Sequence, residues 1–112
     1  MPNVIVVAEQ FSRFPAGRVK DDGPFSGQRF REEFLEPVLR NNERAEVVLD
    51  GTRGYGSSFL EEAFGGLVRA GFTPERIRES FEITTEDESL VLEISDYIAH
   101  ALDGTEKNST RN

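Results

Sequence analysis

The sequence predicts a single α/β domain, and three observations carry that prediction. Short runs of β-branched residues alternate along the chain with longer segments whose apolar residues recur at helical spacing. The chain has 112 residues, which is the length of one domain. Hydrophobic residues make up 37% of it, enough for one core. This alternation predicts a mostly parallel or mixed sheet with three or four helices packed on one or both of its faces.

Three short segments predict the strands of this sheet. The runs VIVVA at residues 4–8 and AEVVLD at residues 45–50 are typical of buried inner strands, and SFEIT at residues 80–84 predicts a third. The stretch between the first two strands, residues 11–25, contains the turn signals FPAG and DDGP. We expect an irregular hairpin there rather than a helix.

The first two helices are predicted from their start signals and apolar stripes. Ser26 is a plausible N-cap for a helix over residues 27–40, in which Pro37 predicts a kink or an end near Glu36. Ser57 or Ser58 can cap the next helix, which ends before a glycine at position 71.

Two further helices follow towards the C-terminus. Thr73 and the proline after it open a short helix, and Thr85 with Glu88 forms a capping box for a last helix that runs to about Gly104. The domain therefore covers residues 1–104. We expect the tail, residues 105–112, to be disordered because it contains no apolar residue.

Composition excludes several function classes. With 13 Lys and Arg against 21 Asp and Glu, the net charge of −8 argues against non-specific binding of nucleic acid. The absence of cysteine and the single histidine exclude thiol chemistry, disulfides and thiolate or histidine-rich metal sites. No apolar run is long enough to cross a membrane and no signal peptide is recognisable, so we expect a cytoplasmic protein without a membrane partner.

The charge is unevenly distributed. Residues 45–112 hold fourteen acidic and six basic residues, whereas the glycine-bearing stretch at residues 10–31 is locally basic. Its cations are Arg13, Arg18, Lys20, Arg29 and Arg31. Two interpretations stay open: a solvated hairpin whose arginines pair with nearby acids, or an anion site built from arginines and backbone N–H groups.

The carboxyl ends of the predicted strands are the expected functional edge. Asp50 ends one strand there, and Arg53, Ser57 and Ser58 follow closely in the chain. Asp50 is alternatively a turn-forming residue before glycine. The two serines stand at a helix start, where free N–H groups stabilise an anion, although one serine as a cap and one in solvent is the simpler interpretation.

Known catalytic constellations are missing from the sequence. There is no P-loop, no GxGxxG, no HExxH and no GxSxG motif. Glu61 and Glu62 suit a solvated first helical turn better than an acid/base pair, and His100 suits a helix C-terminus better than a general base. We therefore expect no catalytic residues, no metal and no cofactor.

The stretch VVLDGTRGYGSSFLEEAFGGL resembles the STAS domains of anti-sigma-factor antagonists. In those proteins a strand ending in Asp or Asn leads to an Asp-Ser-Ser-Gly motif at a helix start, and a partner kinase phosphorylates the second serine. That serine falls on Ser58 and the first on Ser57, while Gly56 replaces the motif Asp and Phe59 replaces the motif Gly.

The chain is more similar still to small bacterial STAS-like proteins of unassigned function. The similarity lies in SRFPAGR, DGPFSGQRFRE, VVLDG and SSFLEEAFGGL, over roughly residues 11–70. It implies a four- or five-stranded mixed sheet with three to four helices mainly on one face. It also implies a cytoplasmic protein that can occur with a histidine-kinase-like ATP-binding partner.

From these resemblances we expect a non-enzymatic regulatory module that docks on a protein partner, a histidine-kinase-like ATPase or serine kinase, through the Ser57–Ser58 loop, with phosphorylation as a switch. The expected partner-binding residues are Asp50, Arg53, Tyr55, Gly56, Phe59, Glu62, Arg13, Arg18 and Arg31.

The alternative is a small-molecule or nucleotide sensor. It would bind an anion with Arg13, Arg18, Arg31 and the helix start at Ser57 and Ser58. A hydrolase or phosphatase using Asp50 and a serine is a third hypothesis, for which no base is evident. Oligomeric state is not predicted.

Overall fold

A computed structural model describes residues 3–103 and contains a three-stranded sheet. Its strands are β1 (Asn3–Val6), β2 (Ala45–Val48) and β3 (Phe81–Thr84). All neighbours run parallel in the order β1-β2-β3, with Val4 opposite Glu46 and Glu46 opposite Glu82. The three strands are those predicted from the β-branched and apolar runs.

The four to five strands and the mixed sheet implied by the resemblance are not confirmed. Within residues 3–103 the sheet has three strands, and every connection between them passes through helix. A helical crossover returns the chain to the same end of the sheet, so consecutive strands run parallel. The first strand is also shorter than predicted, because its last residues enter a π-helical turn, Val7–Phe11. The hairpin predicted for residues 11–25 is not formed: beyond this turn the stretch contains no strand and one 3₁₀ turn, Lys20–Asp22.

Helix α1 covers residues 27–40 without a break. It consists of Gly27–Phe30, a π-helical turn Arg31–Leu35 and Glu36–Arg40. The predicted cap is confirmed, since the Ser26 hydroxyl accepts a hydrogen bond from the Arg29 N–H at 3.2 Å. The helix continues past Pro37 because the widened turn before the proline accommodates its missing N–H and its ring.

Helix α2 covers residues 57–69 and also contains a π-helical turn. It consists of Ser57–Leu60, the π turn Glu61–Gly65 and Gly66–Arg69. The prediction that a serine caps this helix is wrong: Gly56 is the N-cap, with extended backbone and no side-chain hydrogen bond. Both serines therefore lie inside the first turn rather than before it.

Helices α3 (Pro74–Ser80) and α4 (Glu88–Ala99) complete the order. The Thr73 cap of α3 is confirmed by its hydrogen bond from the Arg76 N–H at 3.1 Å. The capping box of α4 is wrong, since Asp87 is the N-cap and its carboxylate accepts from the Ser89 N–H at 3.0 Å. The predicted tail, residues 105–112, lies outside the described residues.

The core lies on one face of the sheet. Alternate strand residues such as Ile5, Val47 and Phe81 are buried among helix side chains, whereas Val4 and Glu82, on the other face, are exposed. Aromatic rings extend the core towards the carboxyl ends of the strands; they belong to Phe11, Phe25, Phe30, Phe34, Tyr55 and Phe59. Among the described residues, no helix is both long enough and apolar enough to span a lipid bilayer.

Candidate functional site

A groove of about 540 Å³ separates the start of α2 from the loop before α1. Its lining, called the serine groove below, consists of Pro15, Ala16, Gly17, Arg18, Asp22, Gly56, Ser57, Ser58 and Phe59. The loop side is rigid, because the Asp22 carboxylate accepts hydrogen bonds from the N–H groups of Arg18 and Val19, both at 3.0 Å. Gly17 has a φ of 93°, a left-handed conformation that glycine adopts without strain.

Both serine side chains are exposed on the α2 wall of the serine groove. Ser57 and Ser58 occupy the first helical turn, where the helix dipole is positive. Because the N-cap is Gly56, no side chain caps the N–H groups of this turn. The turn is therefore open to a hydrogen-bond acceptor that enters the groove.

Arg18 is the cation of the serine groove, and its guanidinium is already engaged. It donates a hydrogen bond to Glu61 Oε1 at 2.5 Å and lies 3.6 Å from a Glu62 oxygen. Arg69 binds the Glu61 carboxylate as well, at 2.8 and 2.9 Å. Burial favours a raised pKa for Glu61, but the hydrogen bonds from Arg69 and Arg18 outweigh it and lower that pKa.

Behind the groove, a set of charged side chains joins α1 to α2. This interhelical ion cluster consists of Arg18, Arg31, Arg69, Glu36, Glu61 and Glu62. At its centre, Arg31 donates to Glu36 Oε2 at 2.9 Å, to the Glu62 carbonyl at 2.9 Å and to Glu62 Oε2 at 2.5 Å. Its side chain is 11% exposed, so the structure does not bring Arg31 to the groove surface.

The predicted residues Arg13 and Arg53 meet at a second place, beside the groove. The Arg53 N–H donates to the Arg13 carbonyl at 2.9 Å, and the Arg53 guanidinium lies 5.8 Å from the ring centre of Phe14. Phe14 is 59% exposed, and neither arginine forms a salt bridge within residues 3–103. The two loops thus form an exposed basic and aromatic surface.

Asp50 and Tyr55 stabilise the loop between β2 and α2. The Asp50 carboxylate accepts hydrogen bonds from the Thr85 hydroxyl at 2.9 Å and from the Glu86 N–H at 3.1 Å. The Tyr55 hydroxyl donates to the Leu49 carbonyl at 2.7 Å, and burial raises the pKa of Tyr55 to about 12. Both groups therefore hold the strand ends together.

Two other predicted site residues face inwards. Phe59 lines the groove, but its ring is buried against Phe11, Phe30 and Tyr55. Glu62 is held by Arg31 within the interhelical ion cluster. The structure therefore brings together Arg18, Gly56, Ser57 and Ser58, and it separates them from Arg31.

Sequence reasoning missed the glycines that permit this packing. A Cβ atom at Gly27 would collide with the Phe59 carbonyl oxygen, and one at Gly66 would collide with the Arg31 guanidinium. Gly66 and its neighbour Gly65 lie inside a helix, where glycine is unfavourable unless something else approaches closely. The presence of these two glycines inside a helix was the sequence signal that could have predicted the close approach. Within residues 3–103, no group of three or more His, Asp or Glu side chains could hold a metal ion.

The comparison with protein families agrees with the resemblance seen in the sequence. Residues 26–90 match the profile of a STAS-like domain of unknown function, and this match includes α1, β2, α2, α3, β3 and the serine pair. No curated protein and no solved structure is recognisably similar to the chain. Since the match covers more than half of the residues, the chain belongs to the family of STAS-like domains of unknown function.

Proposed function

We propose that this STAS-like domain is a non-enzymatic docking module that binds a protein partner through the serine groove. The proposed partner is a histidine-kinase-like ATPase that acts as a serine kinase, as in the antagonists that the Ser57–Ser58 loop resembles. The observation that carries the proposal is the exposure of both serine hydroxyls on the first turn of α2, above a glycine N-cap. A kinase can reach them without unfolding the domain.

A phosphate on Ser58 would act through charges that already line the groove. The uncapped first turn stabilises a negative charge, and Arg18 is close enough to the groove to bind one. Arg18 is bound to Glu61, which retains Arg69 as a second partner. The phosphate would therefore compete with Glu61 for Arg18 and reorganise the loop before α1. Repulsion from Glu61 and Glu62 opposes this gain, which suits a reversible switch.

The non-enzymatic part of the proposal is supported by the environment of the serines. A nucleophilic serine needs a base within hydrogen-bonding distance. Of the two predicted site carboxylates, Asp50 accepts from Thr85 and Glu86. Glu62 is held by Arg31. The hydroxyls are better suited to receiving a phosphate than to attacking a substrate.

The test is recovery of tagged protein from the cells that produce it, followed by intact-mass spectrometry. We expect a kinase-like ATPase among the bound proteins and one added phosphate, absent from the Ser58→Ala variant. Ser95→Ala, which removes another exposed helical hydroxyl, is the matched control. Wild-type protein without phosphate and without an ATPase partner would contradict the proposal, and so would equal phosphate on wild type and on a variant lacking both Ser57 and Ser58.

The second candidate function is an anion sensor at the same groove. The observation that favours it is the set of uncapped N–H groups beside Arg18. Arg13 lies on the neighbouring loop surface, and Arg31 supports the site only from behind, through the ion cluster. We expect inorganic phosphate to shift the backbone amide resonances of Ser57 to Phe59 and Arg18→Gln to weaken this effect. Unchanged resonances at millimolar phosphate would exclude this second function.

A further inference from the structure

The face of the sheet opposite the helices is the least explained surface of the molecule. Purely parallel sheets occur almost only where both faces are covered, because their connections bring helices onto the sheet. Here the buried strand residues all lie on the helix side. On the other side, Val4 is 50% exposed, and Val6 and Val48 are only partly buried. This second side is called the open face below.

The open face has a defined chemical pattern across its strands. Because side chains alternate along a strand, its residues are Val4 and Val6 on β1, Glu46 and Val48 on β2, and Glu82 and Thr84 on β3. The β1 side is apolar, whereas the centre and the β3 side carry carboxylates. The face thus changes from apolar to acidic across the width of the sheet.

The two carboxylates of the open face are direct cross-strand neighbours. Glu46 and Glu82 are paired in the register of β2 and β3, and like charges in this arrangement destabilise a sheet. Glu46 accepts a hydrogen bond from the Thr84 hydroxyl at 2.6 Å, but within residues 3–103 neither glutamate forms a salt bridge. Among the described residues no cation pairs with either carboxylate, and a cation on a partner would offset their like charge.

A basin of about 780 Å³ borders the part of the open face that contains these two glutamates. It lies over the amino ends of the strands, and its lining includes Val4, Glu46 and Glu82. Arg44 and Arg78 also line it, together with Glu43 and Glu79. The glutamates therefore outnumber the arginines around the basin. The serine groove shares no residue with it.

We propose that the open face binds a segment of a second protein that presents lysine or arginine beside aliphatic side chains. The aliphatic groups would cover Val4 and Val6, and the cations would lie over Glu46 and Glu82. A second copy of this chain is a poor occupant, because it would bring two acidic faces together. The segment at residues 105–112 contains Lys107 and Arg111 but no apolar side chain to cover the valines. The proposal is independent of the function assigned to the serine groove.

The test uses the full chain and a short synthetic peptide of alternating lysine and valine. Peptides that alternate lysine with serine, and glutamate with valine, are its controls. We expect the lysine-valine peptide to shift the amide resonances of β1, β2 and β3, with weaker binding in high salt. The lysine-serine peptide should bind more weakly, and the glutamate-valine peptide should not bind.

Matched variants distinguish peptide binding at the open face from a general effect of the protein's net charge. In Glu46→Gln with Glu82→Gln we expect affinity to fall about tenfold, the size of two exposed charge pairs. This variant should fold, since it removes a like-charge pair. Glu75→Gln with Glu88→Gln makes the same change in charge on exposed helical positions and should leave affinity unchanged. Val4→Ser tests the apolar part and should also weaken binding.

Several results would overturn the proposal. These are the absence of binding at millimolar peptide, equal losses in both double variants, or resonance shifts confined to the serine groove. If the chain forms a dimer in which the amides of β1, β2 and β3 are protected from solvent, a second copy of the chain covers the open face instead. Changes at β1, β2 and β3 on removal of residues 105–112 would assign it to the chain's own tail. Normal peptide binding by a Ser58→Ala variant that lacks the added phosphate would support this proposal separately from the function of the groove.

Discussion

Arg18 and Arg31 belong to one interhelical ion cluster and bind two neighbouring glutamates in it, Arg18 chiefly Glu61 and Arg31 Glu62. The Arg31 side chain is 11% exposed and donates to Glu36 and to both the carbonyl and carboxylate of Glu62. The Arg18 side chain is 43% exposed and has one short contact, to Glu61. Burial therefore divides one cluster into a structural interior and a rim that faces the serine groove. An arginine can therefore serve as an anion ligand only where its present partner can be replaced.

The largest expected effect comes from removing the charge at the interior end. Arg31→Met leaves Glu36 and Glu62 without their buried partner, and we expect a loss of about 3–5 kcal/mol in the free energy of unfolding. The same change at Arg18 removes an exposed pair and should cost less than about 1 kcal/mol. Urea unfolding of the two variants measures both values. Equal losses would show that burial does not separate the two arginines.

An intermediate effect is expected where α1 and α2 approach most closely. In Gly27→Ala the new methyl group meets the Phe59 carbonyl, which belongs to rigid backbone, so we expect a loss of about 1–3 kcal/mol. Gly56→Ala at the groove rim meets no neighbouring atom and should cost less than about 1 kcal/mol. Thermal unfolding compares the two. A harmless Gly27→Ala would mean that the helices can separate without cost.

The smallest expected effect is the pH dependence of Glu61, the residue that links the rim to the interior. Its pKa is lowered in the folded state despite burial, through hydrogen bonds from Arg69 and Arg18. The stability that it contributes is therefore fully present above the unfolded value of 4.5 and is lost as the pH falls through the lower folded value. The stability difference between wild type and Glu61→Gln should shrink between pH 7 and pH 3. A difference that stays constant over this range would contradict the shift.

Much of the fold was predictable because its signals are local. The three strands follow from short β-branched runs, and the Ser26 and Thr73 caps follow from side chains that bond to N–H groups three residues away. The caps of α2 and α4 were missed because several polar or glycine residues precede each helix. Which of these residues is the N-cap depends on the backbone conformation at each position. Residue propensities do not distinguish neighbouring positions well enough to predict it.

The candidate site was predictable only in part. Ser57, Ser58, Gly56 and Arg18 do line one groove, although Arg18 lies far from the other three in the chain. The sequence also placed Arg31 and Glu62 on the surface, since charged residues are seldom buried. Their burial depends on each finding an opposite charge on another helix, and on a glycine that leaves space for the guanidinium. Such long-range pairs leave no periodic signal.

The sequence by itself determined the order of strands and helices, the two cap residues, the serine pair at a helix start and membership of the STAS-like family. These are properties of short segments, in which each residue acts on near neighbours. Only the tertiary structure decided that the sheet is parallel with an open acidic face, and that Arg18 stays at the surface while Arg31 becomes buried. The reason is that burial and charge pairing are set by elements distant in the chain, so they exist only once the helices have packed on the sheet.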